Sequence, residues 1–224
     1  LTVAQTASKV ESTLGISSDD FTNQAKASNY VSDYDFLSGA ANDSLEGFLY
    51  GSTYDFGDTD MSSDTVIRAM LDQYKANVAS LDFATAEASI KEKYGVTVSD
   101  YDILTIASII EKEALTDDDR TKIASVLYNR LKAGMALQSD ATMGYVTGGT
   151  VTADDLKTQS PYNTYLNKGL PPTPISNPGD GAITAAVNPP DGKWLYFVTT
   201  NLQTGETKFV ETEDEFWQIR DEYK

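Results

Sequence analysis

The chain has 224 residues and a formal net charge of −17, which argues against nucleic acid or an anionic membrane face as a partner, since both need clustered Lys and Arg. It has no Cys and no His, which excludes disulfides, thiol nucleophiles, Ser-His and Cys-His catalysis, and thiolate or imidazole metal sites. Acid–base chemistry, if the chain performs any, falls to carboxylates, tyrosines or lysines.

Residues 1–44 read as short helices with polar breaks. Val3, Ala7, Val10 and Leu14 share one face, Gly15 ends that helix, and Ser17–Asp20 starts the next with Phe21 and Ala25 inward. Leu45–Phe56 (LEGFLYGSTYDF) is aromatic-rich with two Gly and reads as an extended segment or loop. Ser63 is expected to cap a helix carrying Ile67, Met70, Leu71, Tyr74 and Val78 on one face. A second helix, about 84–94, stops at Gly95.

Ser99 or Asp100 caps the next helix. At 100° per residue, Ile103, Ala107, Ile110 and Ala114 centre its apolar stripe, while Thr105, Ser108 and Lys112 point away. Thr116 and Asp117–Asp119 begin the following helix, which turns Ile123, Val126, Leu127 and Leu131 inward and ends at Gly134. Residues 135–190 lack a long helical period and concentrate the prolines with Gly144, Gly148 and Gly149; a short helix about 182–187 interrupts them. Trp194–Thr200 is the clearest strand, Thr207–Val210 pairs back across a turn, and EDEFWQIRDEY closes the chain as a helix. The expected class is α+β, with a helical N-terminal half, a small mostly antiparallel sheet and long Pro/Gly-rich loops.

Glu111 and Glu113 fall on opposite flanks of the apolar stripe. Burial raises a carboxyl pKa, and a general acid needs a raised pKa near neutral pH. Taken alone, the helix favours the plainer reading of two solvated edges. Two carboxyls that flank one glycosidic bond stand roughly 5–10 Å apart; residues two apart on a helix do not face each other. Either a loop supplies the second carboxylate, with Asp140 in LQSDAT as the candidate against an ordinary turn aspartate, or the reaction needs only one. Tyr162–Asn163–Thr164–Tyr165 groups hydrogen-bonding and stacking side chains that suit sugars, although a polar loop reads the same way. Arg130, late in its helix, is expected only to complement the dipole. Asp55, Asp58, Asp60 and Asp64 lack the spacing of a calcium loop, so neither metal nor cofactor is expected.

At ASIIEKEA (107–114) the chain resembles the YceG-like family, the endolytic murein transglycosylases. LEGFLY-x-x-TY at 45–54, ASVLYNRLKAGMALQSD at 124–140, SPYNTY at 160–165, GLPPTPISNPG at 169–179 and LYFV at 195–198 follow in the family's order and spacing. The resemblance implies cleavage of the MurNAc–GlcNAc linkage of nascent peptidoglycan without water, leaving a 1,6-anhydro-MurNAc end. It assigns the catalytic carboxyl to Glu113, with Glu111 as fallback. Asp140, Gln138, Asn163 and Tyr165 are candidates to stabilise the oxocarbenium-like state, Glu46 to brace the site, and Asn129 and Tyr162 to bind substrate.

The resemblance further implies residues 1–44 as a helical lead-in and 45–224 as the catalytic domain, in one unit. The anchoring transmembrane helix and most of a LysM-like region would lie upstream of Leu1, so membrane contact comes only through that missing anchor. The expected site of action is the outer face of the bacterial cytoplasmic membrane, with peptidoglycan strands as substrate and room for cell-wall synthesis proteins as partners. The chain departs from the family pattern at Gly51–Ser52, where Pro-Asp is usual, and at Thr173, where Gly is common. Lys208 and Phe216 stand near positions often held by His. Two competing readings stay open: a non-catalytic glycan-binding or scaffold module, and a muramidase that adds water.

Overall fold

Hydroxyl and carboxylate caps set where most of the helices begin. The computed structural model describes residues 1–57 and 61–223. Thr2 caps α1 (Val3–Leu14), Ser17 caps α2 (Ser18–Gln24) and Ser62 caps α3 (Ser63–Tyr74). Asp82, Ser99 and Thr116 do the same for α4 (Phe83–Tyr94), α5 (Asp100–Glu113) and α6 (Asp117–Lys132). Each such cap stabilises by about 1 kcal/mol. The start of α3 thus moves one residue, with Ser62 rather than Ser63 as cap. The α-helix also stops at Tyr74, and a π-helical turn, Lys75–Ala79, carries Val78 into the core.

The helix α5 is the axis of the molecule, packed by α4, α6, α7 (Asp140–Thr147) and α8 (Asp180–Val187). Every residue from Ile103 to Ile110 is buried, so the expectation that Thr105 and Ser108 point to solvent is overturned. A single apolar stripe assumes one covered face, and this helix is covered all round. Its hydroxyls are satisfied within that packing. Thr105 donates to the Tyr101 carbonyl (2.9 Å) and Ser108 to the Thr105 carbonyl (2.6 Å). Ser108 Oγ in turn accepts from the Ile175 N–H (2.9 Å). Each fully buried Ile contributes roughly 1.5–3 kcal/mol.

The stretch 45–56 is non-helical as expected, and one contact fixes its path. Asn177 Oδ1 accepts from the N–H groups of Gly47 (2.8 Å) and Leu49 (3.0 Å). Gly47 sits at φ +92°, and a Cβ there would lie 2.7 Å from Pro174 Cγ, so a larger residue would force the two loops apart. This clasp sets the position of Glu46.

Two corrections concern the later half. Asp140–Thr147 forms α7, where loop was expected, and α8 begins two residues earlier than the sequence suggests. The strands β1 (Tyr196–Asn201) and β2 (Glu206–Val210) pair antiparallel, with Phe197 opposite Phe209 and an irregularity between Thr199 and Asn201. The helix α9 (Glu213–Glu222), capped by Thr212, packs on this hairpin. Helices with one small two-stranded sheet make an α+β fold. Among the described residues no helix is long and apolar enough to cross a membrane. Of the four aspartates weighed as a cation loop, Asp58 and Asp60 lie outside the described residues; Asp55 accepts from the Gly57 N–H and Asp64 pairs with Arg68.

Candidate active site

Glu113 is the last residue of α5, because Ala114 leaves the helical region at ψ 133°. Its side chain reaches the start of α7. Ser139, the residue that precedes α7, makes no side-chain cap to that helix; its hydroxyl donates to Glu113 Oε1 instead. The Ala141 N–H in the first turn of α7 also faces the carboxyl. Burial pushes the Glu113 pKa up, and the neighbouring Asp140 adds to this. The Ser139 and Ala141 bonds and the charge of Arg130 pull it down, and burial prevails.

Ser139 is itself held. Its N–H donates to Thr164 Oγ1 (3.1 Å), and its carbonyl accepts from Thr142 Oγ1 (2.8 Å). Gln138, just before it, adopts φ +51°, a region that costs a non-glycine residue of order 1–3 kcal/mol. Arg130 pins that loop. Buried, not solvated, it donates to the carbonyls of Leu195 (2.6 Å) and Leu137 (2.8 Å) and stacks over Tyr196. Its expected role at the helix dipole is therefore replaced by a clamp between the 136–138 loop and β1.

A cleft of about 1050 Å³ opens beside Glu113, walled by the first turn of α1, the 42–46 segment, α7 and the 148–151 loop. Glu46, Asp140, Tyr145 and Lys112 line it with Glu113. Glu46 is 2% exposed. Its carboxyl accepts from the Val3 N–H (3.0 and 3.1 Å) and from the Tyr145 hydroxyl (3.1 Å). Burial lifts its pKa to about 7 against the pull of those two bonds. Asp140, exposed at the start of α7, accepts from the Tyr165 hydroxyl (2.6 Å).

The other sequence candidates face elsewhere. Glu111 accepts from the Gly179 N–H (3.2 Å) at the start of α8 and does not line the cleft. Asn163 is fully buried, and its amide donates to the Leu156 (3.0 Å) and Thr158 (2.8 Å) carbonyls, so it organises its loop and offers nothing to a ligand. Asn129 donates to the carbonyls of Gly192 (2.9 Å) and Trp194 (3.0 Å), behind the site. Tyr162 stands one layer back, its ring centroid 5.1 Å from Tyr145 and its hydroxyl paired with Thr173 (2.8 Å). Gln138 is exposed beside the site, its side-chain oxygen 3.4 Å from Arg130. Ser139 and Tyr145 were not singled out from sequence. Ser139 lies inside LQSDAT, a signal that could have found it; Tyr145 carries none beyond being aromatic.

The sequence matches the model of the YceG-like family over residues 1–222. It is 41% identical over 182 residues to an endolytic murein transglycosylase of Bacillus subtilis, covering 80% of this chain and 48% of that protein. It is 36% identical over 162 residues to an endolytic murein transglycosylase of Streptococcus pneumoniae, covering 69% of this chain and 28% of that protein. The chain thus spans about half, or less, of the length of these relatives. The crystal structure of a yceG-like protein from Listeria monocytogenes superposes with a TM-score of 0.85 at 35% identity, over 98% of this chain and 73% of that one. A family match from end to end, joined to the same fold in a relative of known structure, means that the chain belongs to the YceG-like family.

Proposed function

We propose that this chain carries the catalytic region of an endolytic murein lytic transglycosylase, with Glu113 as its single acid–base group. The supporting observation is a carboxyl with a raised pKa, oriented by a serine hydroxyl, on the wall of a cleft large enough for a polymer. In this reading protonated Glu113 gives its proton to the oxygen that leaves C1 of MurNAc. The resulting carboxylate takes the proton of the MurNAc C6 hydroxyl as that oxygen bonds to C1. One C–O bond breaks and one forms, no water is consumed, and Glu113 ends protonated as it began.

Such a group contributes roughly 10²–10⁴-fold, whereas enzymes reach about 10⁶-fold or more. In this reading Asp140, exposed and held by Tyr165, and the Tyr145–Glu46 pair meet the positive charge that develops at C1. The substrate is made on the outer face of the bacterial cytoplasmic membrane, and in this reading the chain works there, tethered through a segment outside these residues. Glu46 favours one alternative, since a second carboxyl in the cleft is what a water-adding muramidase uses.

Mass spectrometry of products from nascent peptidoglycan separates the readings. Anhydro ends are expected. Reducing ends would make the protein a hydrolase, and intact strands would make it a binding or scaffold module.

A further inference from the structure

We propose that Lys112 is a carboxylate-recognition element of the cleft, which fixes the register of an acidic glycan strand relative to Glu113. The inference rests on the reading of this cleft as the murein site. Lys112 is exposed, lines the cleft and adjoins Glu113 in sequence. Among the described lining residues it is the only cation, against four acids: Asp43, Glu46, Glu113 and Asp140.

None of those acids uses it. Asp43 accepts from the Ser28 N–H (2.6 Å) and hydroxyl (2.9 Å), Glu46 from Val3 and Tyr145, Glu113 from Ser139, and Asp140 from Tyr165. The ion pairs among the described residues take Arg68, Arg120 and Lys157 instead. The Lys112 ammonium makes no hydrogen bond or ion pair among them, and the nearby Leu1 ammonium only repels it. Its charge is left for what enters.

A neutral sugar could offer it only hydroxyls. A carboxylate offers a charge-assisted bond, about twice as strong. In a chain of net charge −17, with Asp43 and Asp140 also on the cleft, Lys112 is the one cationic side chain lining it among the described residues. Murein presents carboxyl chemistry at every second sugar, since muramic acid bears a lactyl group and N-acetylglucosamine does not. One cation beside the acid–base group would therefore decide which of the two alternating linkages lies over Glu113. The carboxylate has two sources: the free lactyl group of a peptide-free strand, or the peptide attached to it, in which case the lactyl carboxyl is consumed as an amide.

The test is binding at low salt, measured by calorimetry on the Glu113→Gln chain so that no ligand is cut. The probes are peptide-free strands, peptide-bearing strands, and both after their carboxyls are converted to amides. Adding Lys112→Gln is expected to weaken binding of an acidic strand about tenfold, with Lys112→Arg restoring most of it and amidated strands bound as before. Whichever acidic strand shows the loss identifies the source. Unchanged affinity for both acidic strands, or an equal loss on the amidated ones, overturns the proposal. If wild-type protein leaves anhydro ends but Lys112→Gln binds normally, only this inference fails; if the parent binds no strand at all, the murein reading fails with it.

Discussion

Glu111 and Glu113 sit two residues apart in the last turn of α5, and each turns to the start of a short helix. Glu111 meets α8 through the Gly179 N–H, at an exposed corner. Glu113 meets α7 through Ser139 and Ala141, beneath buried Thr142 and Thr164 and beside the cleft. A carboxylate at a helix start is normally favoured by the dipole. At Glu113 the loss of water outweighs that attraction and raises the pKa. The two sites share a partner type, but only Glu113 lines the cleft, and that difference makes one glutamate a fold contact and the other a candidate acid.

The contrast can be broken most sharply by exchanging amides for acids. Glu113→Gln is expected to lower cleavage by at least 10²-fold, the lower end for a positioned acid–base group, with circular dichroism unchanged; anhydro ends at the wild-type rate would remove Glu113 from the chemistry. Next in size is Glu46. Folded, it keeps its proton to about pH 7, whereas the ordinary value is 4.5. Between those values the unfolded chain binds fewer protons, so stability falls as pH rises. Glu46→Gln removes this loss, and from pH 4 to pH 8 the variant should gain up to about 3 kcal/mol on wild type. Denaturant melts across that range giving a constant difference would refute the burial argument.

A smaller effect is expected at Ser139. Its hydroxyl favours the charged form of Glu113, so Ser139→Ala should move the alkaline limb of kcat/KM upward. A limb that stays put, or moves down, breaks the link between that hydroxyl and the acid. The smallest effect belongs to Glu111→Gln, which should keep cleavage and cost under about 1 kcal/mol of stability, since it trades one charged acceptor for a neutral one at an exposed corner. Loss of cleavage there would reverse the roles of the two glutamates.

Local chemistry carried much of the helical framework. Thr116 with its acidic first turn and the glycines after α1 and α4 act within one turn, so their effect is written where they stand. The helix α7 was hidden because Gly144 and the β-branched residues around it favour no helix; packing against α5 supplies what propensity does not. Asn163, Asn129 and Arg130 look like surface groups in sequence and are spent on loop carbonyls once folded. Thr173, a departure from the family's common glycine, contributes its hydroxyl to the tyrosine that supports Tyr145.

By itself, the sequence determined the chemical menu: without Cys or His, only carboxylates, tyrosines and lysines were left, and the ordered motifs brought Glu111 and Glu113 forward together. Only the tertiary structure puts Glu113, and not Glu111, on the cleft wall; it also brings Glu46 and Tyr145, 99 residues apart, together there and Ser139 to Glu113. Desolvation is a property of everything packed around a group. No spacing along the chain encodes how much water a carboxyl retains.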